Sequence, residues 1–135
     1  AAIRRRRTGD VGTTVTDSIS AATVEVAQNV DAAAILSATT SGSTARMTSL
    51  YRPMAPIIGV TTQPDTYRRM ALIWGVFPVL SPVAETLDDA LANSFNAARD
   101  AGLIHEGDLV VLTGGVPVGV PGNTNLIRVA TVDGG

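Results

Sequence analysis

Six consecutive residues, Thr39-Thr40-Ser41-Gly42-Ser43-Thr44, set hydroxyl side chains around a single glycine. Such a segment carries no charge of its own. It can hold an anion through hydroxyl groups and backbone N–H groups, above all where a strand ends and a helix begins. There the unpaired amides and the positive end of the helix dipole converge. The same residues also cap helices, and pattern alone leaves both uses open. The segment is not a Walker motif, because the long glycine-spaced cradle and the lysine are missing. All ten basic residues are arginine, so a basic side chain can meet an anion only as a guanidinium fork, and no lysine exists for Schiff-base chemistry.

A second candidate is the glycine- and proline-rich segment from Gly114 to Thr124. Gly115, Gly119, Gly122, Asn123 and Thr124 could close over a ligand, although a wide turn into a returning strand fits the residues better. The remaining chemistry is sparse. His105 is the only histidine and lies with Glu106-Gly107 in an expected turn. Asp88 and Asp89 are neighbours on an expected helix and so point in different directions. With no cysteine, disulfides, thiolate metal sites and a thiol nucleophile are excluded. No Ser-His-Asp arrangement or metal-ligand spacing can be assembled, so no catalytic residue and no cofactor is assigned.

These segments need elements to position them. With 135 residues, 45% of them hydrophobic and 16% charged, the chain is expected to fold as one domain over residues 13–135, with residues 1–12 a linker or tail. A formal charge of -2 gives no general attraction to nucleic acid or anionic lipid. The run Arg4 to Arg7 lacks the interleaved aromatics of a base-stacking arm and reads as part of the linker. No apolar run reaches the roughly 20 residues of a membrane span. A cytoplasmic protein without nucleic-acid or membrane partners is the expectation.

Val15, Ile19, Ala22, Val26 and Val30 recur at helical spacing and predict a first helix capped by Thr13 or Thr14. Ala32–Ala38 then reads as a strand covered on both faces. A short helix through Met47 and Leu50 must stop before Arg52-Pro53. Pro56–Thr61 is a second strand. Pro64 opens a helix carrying Tyr67, Met70, Ala71 and Trp74, and Gly75 ends it. Val76–Leu80 is a strand whose proline suits an edge. A long helix from about Glu85 to Ala101 stops at Gly102. Trp74 and Phe95 occupy helical positions suited to packing. Asp108–Thr113 and Asn125–Val132 complete the set, and the helix-free link between them makes the last strand antiparallel. The expected fold is α/β: a three-layer αβα arrangement around an open, mostly parallel five-stranded sheet with a C-terminal antiparallel strand. Ligands in such sheets collect beyond the carboxyl ends of the parallel strands, where Thr39–Thr44 and the glycine loop both fall.

In order along the chain, Asp10-Val11-Gly12-Thr13-Thr14-Val15-Thr16-Asp17-Ser18-Ile19, Thr40-Ser41-Gly42-Ser43-Thr44-Ala45-Arg46, Tyr51-Arg52-Pro53-Met54-Ala55-Pro56-Ile57-Ile58, Trp74-Gly75-Val76-Phe77-Pro78-Val79, Leu112-Thr113-Gly114 and Asn123-Thr124-Asn125 resemble the C-terminal domain of pyruvate kinase. That domain regulates and assembles an enzyme whose phosphoryl transfer from phosphoenolpyruvate to ADP occurs in a separate barrel. The resemblance implies a part of a pyruvate kinase, inactive alone, with magnesium and potassium belonging to the barrel and none in this chain. It gives Thr39, Thr40, Ser41, Gly42, Ser43 and Thr44 the role of holding an effector phosphate, and makes Gly115 to Thr124 a second contact. The positions matching the tryptophan and arginine that hold a second phosphate in bisphosphate-responsive members are Val83 and Ala90, so a monophosphate is the expected effector. A homo-oligomer through Thr13–Val30 and Asn125–Val132 and contact with a barrel domain are the further expectations. The alternative is a standalone protein binding a phosphosugar or nucleoside monophosphate, or a small-molecule enzyme on the same scaffold.

Overall fold

The computed structural model of the chain describes residues 15–114 and 124–133. The expected linker, the caps Thr13 and Thr14, and Gly115, Gly119, Gly122 and Asn123 lie outside these residues. Four helices and five strands follow in the order α1 (Val15–Asn29), β1 (Ala34–Ala38), α2 (Ser43–Leu50), β2 (Ile57–Thr61), α3 (Pro64–Met70), β3 (Val76–Leu80), α4 (Leu87–Asp100), β4 (Leu109–Gly114) and β5 (Leu126–Thr131).

The strands form one sheet in the order β3-β2-β1-β4-β5. The pairs β1–β2, β1–β4 and β2–β3 are parallel, and β5 returns antiparallel to β4. The mostly parallel sheet with one antiparallel strand is therefore present as expected, and β3 with its Pro78 does lie at an edge. Helices cover both faces. On one, α4 packs over an apolar cluster of Leu36, Ile58, Val110, Leu112, Leu91 and Ala98. On the other, α1 meets Ile35 and Val111 through Val24 and Ala27, while α2 and α3 cover Ile57 and Val76 through Ala45 and Met70. Central β1 is buried from Ala34 to Ser37, which is why it reads as an uninterrupted small and apolar run rather than an alternating one.

Two helices depart from the sequence expectation. In α1 the buried residues are Ser20, Thr23, Val24 and Ala27, not the stripe of Val15, Ile19, Ala22, Val26 and Val30. Val15 is 65% and Val30 36% exposed. Small side chains let α1 lie close to β1, β4 and α2, and close approach outweighs the larger apolar stripe. The third helix ends at Met70 instead of reaching Trp74. Leu72 N–H bonds Arg69 C=O at 3.1 Å and Ile73 N–H bonds Met70 C=O at 3.0 Å, a tightened final turn that leaves the helical track. Trp74, expected in the core, is consequently 55% exposed, and the Arg52 guanidinium stacks over its ring at 4.4 Å. Phe95 does pack, half-buried, against the α4-face cluster.

The long helix begins where Thr86 accepts the Asp89 N–H at 3.1 Å as an N-cap. It ends at Gly102, whose φ of 77° reverses the chain. Gly59 on β2 permits a close approach of α3, since a Cβ there would stand 2.5 Å from the Met70 sulfur. Among the described residues, no helix is long and apolar enough to cross a membrane.

Candidate functional site

Because β1, β2, β3 and β4 run the same way, their carboxyl ends open into one space. A cleft of about 130 Å³ lies there. Thr39, Thr40 and Thr44 reach it from the β1–α2 loop, Thr61 and Thr62 from the end of β2, Ser81 from β3, and Gly114 and Thr124 from the two sides of the glycine loop. The far wall is α4, which contributes Leu87, Ala90, Leu91 and Ser94. No charged side chain lines the cleft among the described residues. One half is thus a rim of hydroxyls and the other is apolar.

The loop is held from several sides. Gly42 has φ 91° and stands at the N-cap of α2 without a side-chain cap, a conformation that favours glycine. Thr39 Oγ1 accepts the Gly42 N–H at 2.8 Å, and Ser41 Oγ accepts the Ser43 N–H at 3.3 Å while lying 2.9 Å from Ser43 Oγ. Two amides at the mouth of α2 are therefore covered by the loop's own oxygens. The first turn of a helix has no internal acceptors for its amides, and those of Thr44 and Ala45 have no hydroxyl over them among the described residues. From outside, Thr66 donates its hydroxyl to Thr40 C=O at 2.8 Å, and Arg69 donates to Ser41 C=O at 3.2 Å. Thr44 and Thr124 join hydroxyl to hydroxyl, so the β1–α2 loop and the chain beyond the glycine loop touch directly.

Of the residues singled out in the sequence, Thr39, Thr40, Thr44 and Thr124 come together at the cleft. Ser41 and Ser43 remain in the loop beside it without lining it, and Gly42 shapes the turn. Val83 and Ala90 both line the cleft. Thr61, Thr62, Ser81 and Ser94 were missed. The rule that ligands gather at strand ends could have found the first three; Ser94 sits on the inward side of α4, where its hydroxyl bonds Ala90 C=O at 2.8 Å. Arg69, whose guanidinium reaches the loop, was hidden by its place in α3. His105 is exposed, and its backbone N–H donates to the Asp108 carboxylate at 2.8 Å in a turn. Asp88 and Asp89 are exposed on the first turn of α4. Among the described residues no cluster of histidine, aspartate and glutamate could hold a metal ion.

An open, mostly parallel α/β sheet covered by helices on both faces, with a hydroxyl-rimmed cleft at its carboxyl edge, defines the class: a three-layer α/β domain. The pyruvate kinase alpha/beta domain family matches residues 17–130, and the chain belongs to that family. It is 45% identical over 130 residues to a pyruvate kinase of Geobacillus stearothermophilus, covering 96% of this chain and 22% of that protein. A pyruvate kinase of Clostridium acetobutylicum is 41% identical over 94% of this chain and 27% of its own length. One from Staphylococcus saprophyticus is 40% identical over 93% and 22%. The chain thus spans roughly a quarter of the length of these relatives.

Proposed function

We propose that this domain is a regulatory and assembly domain of a pyruvate kinase and that its carboxyl-edge cleft takes a phosphorylated effector with one phosphate. The observation that carries the reading is the composition of the cleft. Hydroxyls of Thr39, Thr40, Thr44 and Thr124 rim it beside the mouth of α2, and among the described residues no carboxylate lines it to repel an anion. Hydroxyls and amides can hold one phosphate. A second would need compensation, and Val83 and Ala90 supply none. Loading the site requires the Thr39 and Ser41 side chains to turn from the loop amides to the anion, an exchange of one hydrogen bond for a charge-assisted one.

Isothermal titration of the chain with glucose 6-phosphate, ribose 5-phosphate and AMP tests the proposal. At least one should give saturable heat, and Gly42→Asp should weaken that binding by about tenfold, since a like charge within a few ångströms of the anion costs on the order of 1.4 kcal/mol even near the protein surface. Asp and Asn both tolerate positive φ, so Gly42→Asn keeps the shape and should bind nearly as wild type. No heat with any of the three, or equal loss in both variants, overturns the effector reading.

The assembly half rests on α1 and β5. Val15 and Val30 leave apolar surface on α1, and β5 is an edge strand with Val129 44% exposed. A second copy would cover both and remove an unpaired edge. Sedimentation equilibrium should therefore report a species heavier than the monomer, and a monomer at every concentration would remove this half alone.

A further inference from the structure

Buried hydroxyls without hydrogen bonds are uncommon enough to call for an explanation, and three such atoms occur among the described residues. Ser20 Oγ, Ser37 Oγ and Thr113 Oγ1 are buried and make no hydrogen bond; each of the three residues is 0% exposed. Their positions in the fold are related. Ser37 and Thr113 are register partners on β1 and β4, so their side chains stand side by side on one face. Two residues earlier on the same strands, Ile35 and Val111 pack against Val24 and Ala27 of α1, which identifies that face as the one α1 covers. Ser20 lies one helical turn before Val24, level with the next layer of the sheet. All three orphan hydroxyls therefore belong to a single layer between α1 and the strands.

That layer also carries smaller side chains than the one below it. Ser20 stands where the lower layer has Val24, and Ser37 where it has Ile35, so several carbon atoms are missing. On the β2 side the partner of Ser37 is Gly59, over which the Met70 side chain of α3 lies, so that side supplies no further hydroxyl. A space bounded by polar atoms and short of apolar volume is where proteins keep internal water, which needs two to four polar partners. An apolar explanation fails, because a dry layer would leave three desolvated hydroxyls, each costing about as much as the hydrogen bond it forgoes.

We infer that Ser20, Ser37 and Thr113 form a site for internal water, sealed between α1 and the centre of the sheet. The water donates to and accepts from the three hydroxyls and takes the place of the side-chain carbons the layer lacks. The site is separate from the cleft: Ser20, Ser37 and Thr113 do not line it, although Ala38 and Gly114, the next residues of both strands, do.

Two measurements test this. A crystal structure of the chain at a resolution that shows ordered solvent should contain a peak within hydrogen-bond distance of at least two of Ser20 Oγ, Ser37 Oγ and Thr113 Oγ1. A layer without such a peak, with the hydroxyls turned to main-chain carbonyls, overturns the site. Thr113→Val keeps the shape and removes one partner of the water, so Tm should fall by roughly 2–4 °C. In a dry layer the same change removes an unsatisfied hydroxyl and should raise Tm or leave it unchanged; either result also overturns the site.

Discussion

The two faces of the sheet bury comparable lengths of the same strands with different side chains. Toward α4, β1 and β4 present Ala34, Leu36, Val110 and Leu112, all within an apolar cluster. Toward α1, the same strands present Ile35 and Val111, which pack against Val24 and Ala27 of the helix, and then the buried Ser37 and Thr113. An apolar face gains about 0.8 kcal/mol per buried methylene whatever its precise shape. A hydroxyl face gains little from burial and depends on each oxygen finding a partner. The difference shows that one sheet can bury an apolar face and a partly polar one on the same strands. The α4 side of β1 and β4 is wholly apolar, while the side under α1 carries buried hydroxyls beside its apolar cluster.

Neighbouring positions on β1 expose the contrast most directly, since Leu36 and Ser37 share a backbone and point to opposite faces. Leu36→Ala deletes a fully buried side chain from the α4 face and should cost about 2–5 kcal/mol. Urea unfolding should register it as a lower midpoint with an unchanged m-value. Ser37→Ala should cost only about 0.5–1.5 kcal/mol. Equal losses at the two sites would erase the distinction between the faces.

Much of this arrangement was legible because local chemistry and tertiary demand agree. β1, β2 and β4 are short apolar runs between glycine, proline and polar segments, and Pro78 marks its strand as an edge before any coordinates exist. The helix-free link fixed the sense of β5. The cleft was legible in part: Thr39, Thr40, Thr44 and Thr124 followed from the strand-end rule, whereas Ser94 and Arg69 reach the region from helices, and nothing in their local sequence signals it. The burial of α1 was misread because periodicity measures hydrophobicity alone. Where a helix must lie close to a sheet, Ser20, Thr23 and Ala27 fit and Val15 and Val30 do not. The end of α3 was misread because Leu72, Ile73 and Trp74 continue an apolar pattern after the backbone has left the helix.

The smallest expected effect concerns how the hydroxyl face keeps its helix. Tyr51, just past the end of α2, donates its phenolic hydroxyl to Asp17 Oδ1 at 2.8 Å, linking that point to the first turn of α1. The hydrogen bond raises the Tyr51 pKa above the ordinary tyrosine value, and the Asp17 charge acts in the same direction. Because the folded state favours the neutral phenol, the link contributes fully below the unfolded tyrosine pKa and is lost as pH rises through the higher folded value. An ultraviolet titration of the folded chain should therefore contain a late-titrating tyrosine that disappears in Tyr51→Phe. Asp17→Asn keeps an acceptor but removes the charge, so it should move that titration back toward the ordinary range. The exposed link should therefore contribute at neutral pH and fade in alkaline solution, and its removal should change stability much less than Leu36→Ala does. If Tyr51 titrates at its unfolded value, the tie between α1 and α2 is absent in solution, and the close seating of α1 must rest on its small side chains alone.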